Sequence, residues 1–329
     1  AVDKSFLQRE NARLVRELRE RRPDLAFFGI GGPDLRAAGM ETVVDIHDMA
    51  VLGLAEVIRR YAFFHKVFHR MLALARERRP QAVILVDYPG FNLRLATRLH
   101  AMGIKVLYYI CPQVWAWNRR RIPQMARDVD RLLAIFPFEK EVFAGTRLRV
   151  DFVGHPLRER ADKALAGPQP DLPWPGRPRL AILPGSREHE IKRILPPLWA
   201  AAGLLARQYP DLGAIVATPS DAISADVRRQ LATLPPGPPR HTVVSGSTSQ
   251  ILRQADAALI ASGTATLEAA FMRCPMIVAY RVNWLTYIPG RMLIRVPFLG
   301  MVNVLARKCI CPEFIQHHAR PEAIANAAA

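Results

Sequence analysis

The sequence predicts an α/β protein made of two Rossmann-like domains facing a cleft. Short apolar runs rich in β-branched and aromatic residues alternate with helical patterns along the chain, which is the signature of βαβ units around a parallel sheet. A stretch dense in proline and glycine, GPQPDLPWPGRP at 167–178, interrupts that alternation midway. The same alternation then restarts. The expected organisation is a first domain over 1–166, a linker over 167–178 and a second domain over 179–329.

In the first domain the apolar runs at 25–30, 82–86, 105–110, 132–136 and 150–153 read as strands. Helical patterns at 11–22, 92–102 and 119–130 fall between them. In the second, the runs at 180–183, 213–217, 242–244, 257–260 and 276–279 read as strands. Helices fit 188–194, 195–208, 225–232, 248–255 and 264–273. Ligands of such folds meet the carboxyl ends of the strands.

Composition narrows the function. The 329 residues carry 46 Lys plus Arg against 29 Asp plus Glu, a net charge of +17 that calls for an anionic partner or substrate. Neither C2H2 spacing nor an RNP-like aromatic strand is present, so nucleic acid is not the expected partner. The 4 cysteines are too few for a disulfide scaffold and suit a reducing compartment. No uncharged apolar run reaches the roughly 18 residues of a spanning helix, and no signal peptide opens the chain. A cytoplasmic protein that touches a membrane without crossing it is the expectation.

Three segments have the makings of a site. In VDYPGFN at 86–92, an apolar strand ends in Asp87, placed to take a proton from a hydroxyl; the competing reading is a turn capped by Asn92. In LPGSR at 183–187, a glycine turn and a new helix offer backbone N–H groups to an anion, and Arg187 adds a planar fork for phosphate oxygens. The alternative is a surface turn with a solvated arginine. In ASGTATLE at 261–268, Ser262, Gly263 and Thr264 offer amides to a diphosphate at a helix start, with Glu268 in reach of ribose hydroxyls. A helix merely capped by Thr264 explains the same residues.

Two other patterns invite misreading. Asp128-Val129-Asp130 matches the DxD of metal-dependent sugar transfer but ends a polar helix, so it reads as solvated charge. GIGGP at 29–33 lacks the last glycine of a dinucleotide loop, and Pro33 is expected to spoil the helix entry. A basic amphipathic helix is expected over 52–74, with Val57, Ile58, Tyr61, Phe64 and Phe68 as membrane contacts; a core-facing helix with snorkelling bases is the alternative.

Together with YYICPQVWAWNRRRI at 108–122, FPFEKEVF at 136–143, VGHP at 153–156 and CPMIVAYRVN at 274–283, these segments resemble the bacterial lipid-A-disaccharide synthases in order and approximate spacing. The resemblance implies a GT-B fold and an inverting glycosyltransferase. UDP-2,3-diacylglucosamine is the implied donor and 2,3-diacylglucosamine 1-phosphate (lipid X) the acceptor, giving a β-1,6 disaccharide and UDP. It implies Asp87 as base, Arg187, the 262–264 amides and Asn303 around the leaving diphosphate, and Glu268 and Gln316 on the nucleotide side. No cofactor and no metal are implied; the anionic inner-membrane surface and a second copy in a homodimer are.

The chain also departs from the pattern. The family opens with an apolar strand and a G-E-x-S-G-D loop, whereas this chain begins AVDKSFLQREN and rejoins at 14–25. The first strand of the N-terminal domain is therefore expected to be missing, leaving its neighbours unpaired. The family's C-terminal helices are also expected to be absent, with poor stability and weak or no activity. Two alternatives remain: a non-catalytic UDP- or lipid-binding homologue, and another GT-B UDP-sugar enzyme such as an epimerase.

Overall fold

The computed structural model describes residues 4–49, 61–284, 287 and 296–329. The chain forms two compact units, 1–154 and 155–329.

The first unit holds two separate parallel sheets. Among the described residues β1 (Phe28–Gly31) pairs only with β2 (Glu41–Asp45), and β3 (Ala82–Val86), β4 (Lys105–Tyr109), β5 (Arg131–Ala134) and β6 (Arg149–Phe152) form the other in that order. The helix Lys4–Arg21 covers the smaller sheet's neighbourhood through Ala12 and Val15, which pack with Leu35 and Ala38. The helices Tyr61–Arg78, Pro89–Ala101 and Ile122–Asp128 bring Val67, Leu72, Leu95, Leu99 and Met125 into the main core around Tyr108 and Leu132.

The second unit is one six-stranded parallel sheet, ordered β12-β11-β10-β7-β8-β9. Its strands are β7 (Arg179–Leu183), β8 (Gly213–Thr218), β9 (His241–Ser245), β10 (Ala257–Ala261), β11 (Met276–Tyr280) and β12 (Glu313–Ile315). The four inner strands are buried nearly throughout, so their sequences are apolar without alternation. Starting the second unit at residue 155 corrects the expected boundary. The helix Leu157–Ala166 packs on Thr248–Gln254 and Thr264–Phe271, and Arg253 donates to the carbonyls of Ala164 and Gly167, both at 2.8 Å. The 167–178 segment is also tied down: the Trp174 indole donates to Gln254 at 3.0 Å.

Other expectations change. Pro33 does not spoil a helix; it opens Pro33–Ala37 at the first position, where a missing N–H costs nothing. The helices expected at 188–194 and 195–208 are one, Glu188–Gln208, running through Pro196 and Pro197. Each interior proline costs roughly 3 kcal/mol in helix propensity. Burial of Ile191, Ile194, Leu195, Leu198, Trp199 and Leu205 outweighs that cost, at about 1.5–3 kcal/mol for each side chain. β2 and β12 were not expected at all.

Candidate active site

β3 delivers Asp87 to its carboxyl end in an unusual backbone. Asp87 and Tyr88 both sit at φ 46°, in the left-handed region that non-glycine residues avoid. Three hydrogen bonds hold the turn there. The Asp87 N–H donates to Tyr109 O at 3.2 Å, and its carbonyl accepts from the Tyr108 hydroxyl at 2.6 Å and from Asn92 Nδ2 at 2.8 Å. Asn92 also donates to Val86 O at 3.0 Å. Because the helix already begins at Pro89, Asn92 works from inside it as a brace for the turn and not as its cap. All three bonds engage the Asp87 backbone, and its half-buried carboxylate has no hydrogen-bond partner among the described residues. Burial and the Asp87 charge push the Tyr108 hydroxyl far above its ordinary pKa, so it remains a donor.

The carboxyl ends of β4 and β5 carry the two aromatic motifs. Glu139 is buried and joins them: its carboxylate accepts from the N–H groups of Ile135 (3.1 Å) and Phe136 (3.0 Å) and from the Trp115 indole (3.2 Å). Burial, opposed by those donors, pushes its carboxyl up to about 7. Phe138 meets Trp115 edge-on at 5.0 Å and stacks with Phe136 at 5.7 Å. In the VGHP segment burial lowers His155 to about 4, and its Nδ1 accepts from the Leu157 N–H at 3.1 Å.

In the second unit, the expected site segments follow the carboxyl ends of β7, β10 and β12. After β7, Gly185 adopts φ 120° and Arg187 is exposed at the start of the long helix, with no ion pair among the described residues. The Ser186 amide, expected to be open to an anion, instead donates to Glu190 Oε2 at 3.1 Å. This glutamate lies three residues into the helix and reaches back over its own start.

After β10, the Ser262 amide is likewise taken, donating to Ala279 O at 2.9 Å as the strand ladder runs on. The Ser262 hydroxyl donates to Leu299 O at 3.3 Å. Gly263 precedes the helix Thr264–Phe271, so Thr264 is its first residue and not its cap. Among the described residues, the amides of Gly263 and Thr264 at that start have no acceptor. Glu268 keeps one oxygen engaged, accepting from the Ser249 hydroxyl and facing Arg160 at 3.8 Å.

The side chains of Asn303 and Gln316, expected beside the diphosphate and on the nucleotide side, are both buried. Asn303 is fully buried with every polar position used: it donates to Cys311 O (2.8 Å) and Glu313 (2.7 Å) and accepts from the amides of Ile310 (2.8 Å) and Cys311 (3.0 Å). Gln316 pairs with the Val282 backbone, accepting at 2.7 Å and donating at 3.1 Å. Both side chains hold neighbouring backbone in place. Glu313, which the sequence reading missed, accepts from the Leu299 and Gly300 amides at 2.9 Å each and fixes the wall beside Ser262. Ser249 and Arg160 were missed as single polar residues outside any motif, and Glu190, inside the LPGSREHEI segment at 183–191, was given no role.

Asp128 is also a correction. It is buried, not solvated, with Thr97 donating to it at 2.5 Å and Arg127 at 2.6 Å, while Asp130 accepts from the Val106 amide at 2.8 Å. Both carboxylates are structural. Of the expected membrane contacts, Val57 and Ile58 lie outside the described residues. Tyr61 is 62% exposed, but Phe64 and Phe68 pack against the core, Phe64 6.5 Å from Tyr88 and Phe68 5.7 Å from Phe91. No described helix is long and apolar enough to cross a membrane.

Comparison with known proteins places this geometry. A family model described as Lipid-A-disaccharide synthetase matches residues 8–329. A lipid-A-disaccharide synthase of Anaeromyxobacter dehalogenans (strain 2CP-C) is 42% identical over 323 residues, covering 95% of this chain and 82% of that protein. One from Myxococcus xanthus (strain DK1622) is 39% identical, covering 96% and 82%. Among solved structures, the glycotransferase of kitacinnamycin aligns with TM-score 0.58 at 16% identity over 96% of this chain and 85% of its own. The UDP-GlcNAc 2-epimerase from Neisseria meningitidis, bound to UDP-GlcNAc, aligns with TM-score 0.55 at 13% identity over 97% and 95%.

Proposed function

This chain belongs to the lipid-A-disaccharide synthase family, and on that premise we propose that Asp87 is the base of an inverting sugar transfer between two acylated glucosamines. The family makes it a GT-B glycosyltransferase of lipid A biosynthesis, acting on a UDP-sugar-type donor. The proposed donor is UDP-2,3-diacylglucosamine and the proposed acceptor 2,3-diacylglucosamine 1-phosphate. Asp87 takes the proton of the acceptor 6-hydroxyl. The oxygen attacks the anomeric carbon from the face opposite the diphosphate, the bond to the diphosphate oxygen breaks, and UDP leaves with inversion.

Charge on the leaving group falls to Arg187 and to the amides of Gly263 and Thr264, without a metal. Glu268, held by Ser249, keeps an oxygen free for the ribose. Asn303, Gln316 and Glu313 shape the pocket from behind. The acyl chains bring the enzyme to the cytoplasmic face of the inner membrane, where Tyr61 and the basic side of its helix lie against the lipid. A homodimer is part of the same reading.

One observation carries the assignment. The Asp87 backbone is braced in a strained turn at a strand's carboxyl end while its carboxylate has no hydrogen-bond partner among the described residues. Asp87→Asn is expected to lower kcat by roughly a hundred- to ten-thousandfold while UDP affinity stays within about twofold. If the substitution abolishes UDP binding and spares kcat, the base is elsewhere. The epimerase reading is not favoured, because the likeness to those enzymes at 11–14% identity carries the fold alone.

A further inference from the structure

The basic segment after the PQVWAW motif has no part in the transfer described so far. Its place in the first unit is well fixed. Trp115 is locked to Glu139 and Phe138 at the carboxyl ends of β4 and β5. Two residues on, Trp117 turns outward, 43% exposed. A single turn of 3-10 helix, Arg119–Arg121, follows and leads into Ile122–Asp128. That helix is fixed against the one that starts at the Asp87 turn, since Gln124 donates to Leu93 O at 3.4 Å and to Thr97 at 3.2 Å.

Arg119 and Arg120 are exposed, and none of the three guanidinium groups is in an ion pair among the described residues. This is unlike their neighbours Arg127 and Arg131, each committed to an aspartate. Arg121 lies over the Trp117 ring, 5.6 Å from its centroid. Its charge also acts on the Tyr108 hydroxyl, the group that holds the Asp87 carbonyl. The segment therefore presents three unneutralised cations and one indole on the Asp87 side of the sheet, with one cation pre-ordered by its stack on the ring.

We propose that Arg119–Arg121, with Trp117, form the subsite for the phosphate monoester of the acceptor, orienting its sugar so that the hydroxyl to be activated faces Asp87. The inference rests on the acceptor assignment above for the source of that phosphate. Its chemistry does not: a compact dianion is what a cluster of unpaired guanidinium forks binds best. A phosphate monoester in a lipid headgroup offers the same chemistry, so the test has to separate the two sources.

The experiment compares wild type, Arg121→Ala, Arg121→Lys and the Arg119→Ala/Arg120→Ala double variant. Acceptors are 2,3-diacylglucosamine with and without the 1-phosphate. With the phosphorylated acceptor, Arg121→Ala and the double variant are expected to raise acceptor KM by roughly ten- to hundredfold, with UDP affinity unchanged. Arg121→Lys should recover part of the loss. With the unphosphorylated acceptor, wild type should already show the raised KM and the variants should add nothing.

Binding is read in parallel from Trp117 fluorescence, assigned with Trp117→Phe, which needs no turnover. If wild type forms no disaccharide, the transfer reading fails. The subsite then stands or falls on whether the phosphorylated sugar perturbs Trp117 in wild type and not in Arg121→Ala. Equal losses with both acceptors overturn the subsite. So does loss of binding to phosphatidic acid vesicles with acceptor KM unchanged, which assigns the cluster to a headgroup.

Discussion

Two consecutive non-glycine residues in the left-handed region cost on the order of 1–3 kcal/mol each, and Asp87 and Tyr88 persist there only because Tyr108, Tyr109 and Asn92 hold the turn from three sides. Glu139 shows the opposite economy: a buried carboxylate whose hydrogen bonds are all made. With the group pushed up to about 7 against an ordinary value of 4.5, its linkage to stability has a definite sign. The contribution is present in full below about 4.5, where folded and unfolded chains are both protonated. It is lost as pH rises through about 7, by on the order of 3 kcal/mol. Glu139→Gln keeps an oxygen for the Ile135 and Phe136 amides and cannot ionise. Urea midpoints of wild type and Glu139→Gln are therefore expected to diverge between pH 5 and pH 8, with wild type losing ground as pH rises. Parallel midpoints across that range would mean that Glu139 ionises without penalty. His155, lowered to about 4, acts in the other direction, with stability lost as pH falls below its ordinary value of 6.5. It is common to both proteins, so it drops out of the difference.

At the scale of elements, what the sequence shows depends on how long and how apolar a strand's run is. β7, β8, β10 and β11 are covered on both faces and paired on both edges, so each is a continuous apolar run that reads as a strand on sight. β2, with the sequence ETVVD, and β12, with EFI, have one pairing partner each and little burial; a run that short carries no period. The site divides in the same way. Asp87 and Arg187 were legible because a strand end or a glycine turn announces them. Glu313, Ser249 and Arg160 act on residues ten or more positions away in sequence, and no local pattern records that.

The helix Glu188–Gln208 offers a test at this scale. Glu190 closes the start of the helix by accepting from the Ser186 amide, and its carboxylate lies against Gly185, in the loop proposed to meet the diphosphate. An internal anion and a ligand anion compete for the same donor. Glu190→Ala is expected to weaken the helix start by about 1 kcal/mol, visible as a lower Tm, while tightening UDP severalfold. A weaker UDP complex would instead make Glu190 a brace that the ligand needs.

The whole molecule carries +17, an excess that internal ion pairs cannot neutralise, since each uses one charge of either sign. Exposed pairs contribute little to stability, so the charge is better understood through what it attracts. On the helix Tyr61–Arg78 the outward face holds Tyr61, His65, Lys66, His69 and Arg70, while Phe64 and Phe68 turn to the core. That face has few apolar groups to insert, so the membrane contact proposed above would be mainly electrostatic, at about 1 kcal/mol for each basic residue near an anionic surface. Salt then becomes the diagnostic. The screening length falls from about 10 Å at 0.1 M to about 3 Å at 1 M. Cosedimentation with vesicles containing phosphatidylglycerol is expected at low ionic strength and should disappear by about 0.5 M salt; vesicles of phosphatidylcholine alone should bind little at either. Replacing Lys66 and Arg70 by glutamine should shift the loss to lower salt, because each removed charge weakens the attraction without touching the core beneath. Binding that survives high salt would place apolar insertion, and not charge, at the centre of the membrane contact.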